Sequence, residues 1–149
     1  MAKKTFKGRP ILSGEVKGKA TVSKQPFNLT ASYLKNMFAG ETATAPCTDS
    51  ANKDLYEKDL KGAIICTSQC IGSTMGAGTV MMLSELDVQP QAWLFSSHID
   101  SISAGGLMID DVWNEKRVIT IDLLGDEFLE AVKTGDPVTV HEDGTVEVG

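Results

Sequence analysis

The run Cys70-Ile71-Gly72-Ser73-Thr74-Met75-Gly76-Ala77-Gly78 holds the residues best suited to chemistry. Glycines let main-chain amides approach a ligand closely. A helix start behind them offers unpaired N–H groups and a partial positive charge. Ser73 and Thr74 add hydroxyls at the expected N-cap. The suited chemistry is binding of a carboxylate or phosphate, or stabilisation of an alkoxide on Ser73. The spacing of Gly72, Gly76 and Gly78 is neither a Walker motif nor a dinucleotide fingerprint. Local pattern alone also fits a capped helix whose glycines pack against a strand.

The elements around this run follow from periodicity. Residues 61–68 contain the continuous apolar stretch Ala63-Ile64-Ile65-Cys66, the mark of a strand buried on both faces. Residues 79–87 read as a helix and 91–95 as a strand, so the glycine-rich run is the turn of a βαβ unit. Residues 18–24 alternate as a strand. Residues 29–38 place Leu29, Tyr33, Leu34, Met37 and Phe38 on one helical face, stopped by Gly40. Residues 41–61 read as a long loop. Residues 105–110 and 117–122 read as strands, and 126–133 as an amphipathic helix with acids first and Lys133 last. Residues 136–149 close the chain as a hairpin turning at Asp143-Gly144. The expected fold class is α/β, one domain over residues 1–149.

With 149 residues, 42% apolar and 23% charged, the chain has globular composition. A formal net charge of −6 argues against nucleic acid as a partner. The charge is uneven. Residues 1–24 carry seven basic side chains and one acid, a balance of +6, which leaves −12 for the rest. That basic end is either a solvated edge or a docking surface. In the second case Lys17, Lys19 and Lys24 should contribute to salt-dependent association. No apolar run reaches the ~20 residues needed to span a bilayer, and no hydrophobic stretch follows the first lysines as in a signal peptide. The expectation is no membrane and a cytoplasmic setting, with Cys47, Cys66 and Cys70 as reduced thiols.

The order and spacing of several features resemble the small subunit, or swivel domain, of the aconitase X family. They are Gly8-Arg9-Pro10-Ile11-Leu12, Gly14, Val16-Lys17-Gly18-Lys19-Ala20, Asp49, Leu60-Lys61-Gly62-Ala63-Ile64-Ile65, Gly72-Ser73-Thr74, Asp100-x-Ile102 with Gly105-Gly106, and the closing hairpin. The resemblance covers about 140 residues. It implies a swivelling β/β/α domain of aconitase type, with mixed sheets and flanking helices. It also implies a hydro-lyase subunit, inactive without a larger catalytic subunit. The substrate would be a small hydroxy acid, cis-3-hydroxy-L-proline or phosphomevalonate, with a slight lean to the former. This chain would bind no cofactor, and an iron–sulfur cluster would sit on the larger subunit. Ser73 matches the family's catalytic serine. Gly72, Thr74 and Cys70 would contact substrate, with Asp49 secondary. Two positions depart from the family. Ile71 stands where many relatives have arginine, and Ser50-Ala51-Asn52-Lys53 stands where many have a His-Pro pair. These departures favour the other reading, a non-catalytic swivel-fold module that binds an anion or regulates a partner.

The remaining chemistry-bearing residues have simpler readings. Cys47, Cys66 and Cys70 match no cluster spacing. Cys66 reads as a buried strand thiol, and Cys70 as an exposed thiol activated by the helix start. His98 and His141 read as surface or strand residues. Asp110 and Asp111 read as solvated carboxylates at a strand end, and Met81, Met82, Leu83 and Leu86 as core contacts of their helix.

Overall fold

The computed structural model describes residues 2–149. Ten strands run in chain order: β1 (Lys4–Lys7), β2 (Arg9–Leu12), β3 (Val16–Val22), β4 (Phe27–Asn28), β5 (Ile64–Thr67), β6 (Cys70–Ile71), β7 (Ala92–Phe95), β8 (Ile119–Asp122), β9 (Pro137–Val140) and β10 (Thr145–Val148). Four helices accompany them: α1 (Leu34–Ala39), α2 (Gly76–Glu85), α3 (Ser101–Trp113) and α4 (Asp126–Ala131).

Eight strands form one mixed sheet in the order β1-β10-β9-β3-β5-β7-β8-β2. Its centre, β3-β5-β7-β8, is parallel, as the βαβ reading requires. Strand β3 joins two environments. Val16–Lys19 pair antiparallel with β9, and Ala20–Val22 pair parallel with β5. The two ends of the strand order, β1 and β2, are separated in sequence by Gly8 alone. The sheet therefore curls round until its edges meet. A side chain at Gly8 would meet the Asp122 carbonyl at 2.5 Å, so the corner is reserved for glycine. Closure leaves few unpaired edges.

Alternate residues of the buried strands feed two cores. Ile64, Cys66, Ala92 and Leu94 point into the curled sheet, with Phe128 and Val132 from the α4 segment. Phe6 meets Phe128 edge to face at 5.5 Å. Ile65, Trp93 and Phe95 point the other way, towards Phe27, Tyr33, Val80, Leu83 and Leu107 under the helices. The Trp93 ring lies 5.7 Å from Phe27. Full burial of strands β5 and β7 on both faces explains their unbroken apolar sequence.

The expected buried strand, the closing hairpin, the helix before Gly135 and the stop at Gly40 all form. Three expectations need correction. Residues 105–110 are not a strand; they lie inside α3. Gly105-Gly106 lowers helix propensity, but α3 packs so tightly on α2 that a Cβ at Gly106 would meet Ala77 Cα at 2.6 Å. Asp110 is accordingly not solvated. It is buried between the two helices, accepting bonds from Ser84 Oγ (2.5 Å) and Asn114 Nδ2 (2.7 Å). Asp111 pairs with Arg117 at 2.7 Å. Finally, of the five residues placed on one face of 29–38, Leu34 and Phe38 are exposed. A 3-10 turn at Ala31–Tyr33 precedes α1, which shifts the angular phase of the later residues.

The basic N-terminal end is largely engaged within the fold. Lys3 pairs with Glu147, Lys7 with Asp143, and Arg9 bidentately with the buried Asp122. Lys24 donates to the Leu129 and Val132 carbonyls at the end of α4, where a cation suits the dipole. Sequence asymmetry thus becomes local neutrality wherever β1 and β2 lie beside acidic partners.

Candidate active site

The Ser73 turn is held from behind by a small parallel ladder. Strand β4 pairs with β6, Phe27 opposite Cys70 and Asn28 opposite Ile71. The Leu29 amide then donates to the Ile71 carbonyl. This clamp fixes Gly72 at φ +112, a region that favours glycine. A Cβ there would also lie 2.4 Å from Asn28 Oδ1, itself engaged by the Ala31 amide.

Helix α2 begins at Gly76, three residues before the expected start, and its N-cap is Met75, without a side-chain cap bond. Ser73 and Thr74 therefore precede the cap. The Ser73 Oγ instead accepts the Met75 N–H at 3.1 Å, and the Gly76 amide closes the turn on the Ser73 carbonyl. Ser73 is exposed, so its hydroxyl is open to whatever approaches the head of α2.

A cleft of about 200 Å³ opens beside this turn. Ser73, Gly72 and Cys70 line it together with Asp100, Ile102 and Ser103 at the start of α3. Thr74 and Asp49 are not among the lining residues. Asp49 instead caps its own loop by accepting the Ala51 amide at 3.0 Å. Ile71 lies at the rim, half exposed. Among the described residues no lysine, arginine or histidine lines the cleft.

Asp100 lines the cleft although the sequence reading gave it no site role. Its Oδ2 caps α3 by accepting the Ser103 amide at 2.9 Å, while its Oδ1 is buried without a hydrogen-bond partner. An unpaired buried carboxylate oxygen is costly unless a donor arrives. The available signal was an Asp two residues before Ile102 in an N-cap position. It was hidden because the following residues read as a strand. Asp122 braces the same corner: it accepts the Ile99 amide at 2.8 Å and Arg9 on its other side.

Cys70 is not an exposed thiol. It is buried, and desolvation, with Asp100 adding to it, pushes its pKa up to about 12 against the help of Ser103. Cys66 rises to about 12 from burial as well, and burial raises Cys47 too. All three are free thiols. Among the described residues no three His, Cys, Asp or Glu side chains gather as metal ligands. Thiols held neutral and apart do not fit an iron–sulfur cluster. Cys66 and Cys70 should alkylate about 10³-fold more slowly than free cysteine at pH 8. Mass spectrometry after iodoacetamide treatment checks this. Rapid uptake of one label by the native chain would refute the burial of Cys70.

The model of the aconitase X swivel domain matches residues 5–148. The chain belongs to the aconitase X swivel-domain family. Its similarity to individual relatives runs the full length. The phosphomevalonate dehydratase small subunit of Methanocella arvoryzae is 30% identical over 140 residues, 94% of this chain and 93% of that one. The corresponding subunit of Aeropyrum pernix is 29% identical over 143 residues, 96% and 92% of the two chains. The crystal structure of Thermococcus kodakaraensis aconitase X in its holo-form superposes with a TM-score of 0.80 at 25% identity, covering 98% of each chain. The swivel fold with its mixed sheet and flanking helices is thus the fold expected. Among the described residues no helix is long and apolar enough to cross a membrane.

Proposed function

We propose that this chain is the small subunit of a phosphomevalonate dehydratase of aconitase X type, with Ser73 as the base that removes the substrate proton. The observation that carries this reading is the Ser73 turn itself. A serine hydroxyl stands exposed at the head of a helix, receives a main-chain N–H and borders a cleft. Relatives along the whole chain are named small subunits of that dehydratase. The names shift the substrate away from cis-3-hydroxy-L-proline.

The roles divide by charge. The Met75 amide and the positive end of α2 favour negative charge developing on Ser73 Oγ. Asp100 Oδ1 lacks a donor, so it orients a substrate hydroxyl rather than an anionic group. Among the described residues the cleft contains no cation, and Ile71 at its rim offers none. The substrate's phosphate and carboxylate are therefore met by cations of the larger subunit, which also carries any iron–sulfur cluster. The chain alone presents half of a site.

Reconstitution tests this reading. The chain and the aconitase X large subunit encoded in the same genome are purified separately and mixed with phosphomevalonate. Dehydration should appear only in the mixture. Turnover by the chain alone, or none from a formed complex, would overturn the proposal. The second reading, a non-catalytic module, rests on Ile71 and would be supported by a stable but inactive complex.

A further inference from the structure

Large apolar side chains are exposed mainly on one side of the molecule. Of the ten that are exposed among the described residues, eight lie on the helical side or the Ser73 turn: Leu34, Phe38, Ile71, Met75, Met108, Ile109, Val112 and Trp113. Helix α3 concentrates them. It buries Ser103, Gly106, Leu107 and Asp110 and turns Met108, Ile109, Val112 and Trp113 outwards. Val112 and Trp113 are 77% and 78% exposed. No charged residue shares these outward positions, since Asp110 is buried and Asp111 is tied to Arg117. Helix α4 shows the contrast of an ordinary solvated helix, with Asp126, Glu127 and Glu130 exposed. An uncharged helix face with four exposed apolar side chains marks an interaction site.

We propose that the outer face of α3, continuing over the head of α2 to Ile71 and Met75, is the surface on which the larger subunit docks through an apolar, uncharged face. This rests on the two-chain reading above. Two observations select that occupant over a second copy of this chain. The face runs into the rim of the Ser73 cleft, through Ile102 and Ile71. Among the described residues that cleft holds no cation to meet an anionic substrate, so the chain that covers its border must supply the groups that do. A second copy would bring the same cation-free turn. The basic edge is the weaker surface, because Lys3, Lys7, Arg9 and Lys24 have partners within the chain, which leaves Lys4, Lys17 and Lys19 as its remaining cations.

Binding, rather than turnover, tests this. The purified chain is titrated calorimetrically against the same large subunit, at low salt and in about 1 M NaCl, where exposed charges are screened beyond ~3 Å. Wild-type affinity should change little with salt. Val112→Glu and Ile109→Glu, both at exposed positions, should keep the circular dichroism of the free chain and lose affinity by about 30-fold or more. Lys17→Glu with Lys19→Glu should bind as wild type. Glutamate variants that bind normally would overturn the proposal, as would a wild-type chain that does not bind. A homodimer in sedimentation that Val112→Glu dissociates would assign the face to a second copy instead. Ser73→Ala should bind as wild type. A complex made through α3 that lacks dehydratase activity would sink the catalytic reading and leave the docking surface standing.

Discussion

Ser73→Ala is expected to lower the turnover number of the two-chain enzyme by about 10²–10⁴-fold, the usual contribution of a positioned base. The Michaelis constant should change much less, because the hydroxyl acts on the proton being removed and the anionic groups of the substrate are held elsewhere. The loss should be specific to chemistry. Ser73 is exposed, and its one side-chain bond is the Met75 amide at 3.1 Å, on the water-accessible side of the turn. Deleting that bond costs little stability, about 1 kcal/mol at most for an exposed neutral pair. Steady-state kinetics on the reconstituted complex, with thermal unfolding of the free variant alongside, separates the two effects. A complex that turns over equally well without the hydroxyl would remove Ser73 from the mechanism.

The second large effect concerns two adjacent glycines that look alike in sequence and should behave in opposite ways. Gly106→Ala is expected to destabilise the chain by about 1–3 kcal/mol, the range for overpacking a tight contact. Its new methyl would meet Ala77 Cα at 2.6 Å and the Ala77 carbonyl oxygen at 2.9 Å, both main-chain atoms that yield only if α2 and α3 separate. Gly105→Ala is expected to stabilise by about 0.5–1 kcal/mol, because it gains helix propensity and meets nothing within 4 Å. Urea unfolding of the three chains reads the difference. Equal effects of the two substitutions would mean that α2 and α3 are not in contact. Gly106→Ala should also reduce activity in the complex, since Ala77 is in the first turn of α2 and Ser73 stands immediately before that helix.

The same glycines show where legibility ends. Local pattern read residues 105–110 as a strand. Tertiary contact reversed that outcome. The absence of a side chain at 106 lets two helices approach, and burial of their shared face outweighs the propensity cost. Misreading this helix also concealed Asp100, whose role as N-cap exists only if a helix follows. The long continuous apolar strand, the βαβ turn and the closing hairpin were legible because each depends on neighbours a few residues away. The position of the Ser73 turn was legible from its place between strand and helix. Its amide partner was not, since the helix began at Gly76 instead of Thr79.

Sequence by itself determined the class of fold, the position of the Ser73 turn and the imbalance between a basic start and an acidic body. Those properties follow from composition and short-range pattern. Only the tertiary structure decided what they mean. The closure of the sheet through Gly8 brings β1 beside β10 and β2 beside β8, so Lys3, Lys7 and Arg9 meet acids more than 100 residues away. Packing of α3 on α2 brings Asp100 and Cys70 to one cleft and turns Met108, Ile109, Val112 and Trp113 outwards. Charge acts through distance in space, and space is assigned by long-range pairing. A count along the chain therefore left a docking surface and a solvated edge both open, whereas the fold engages Lys3, Lys7, Arg9 and Lys24 within the chain itself.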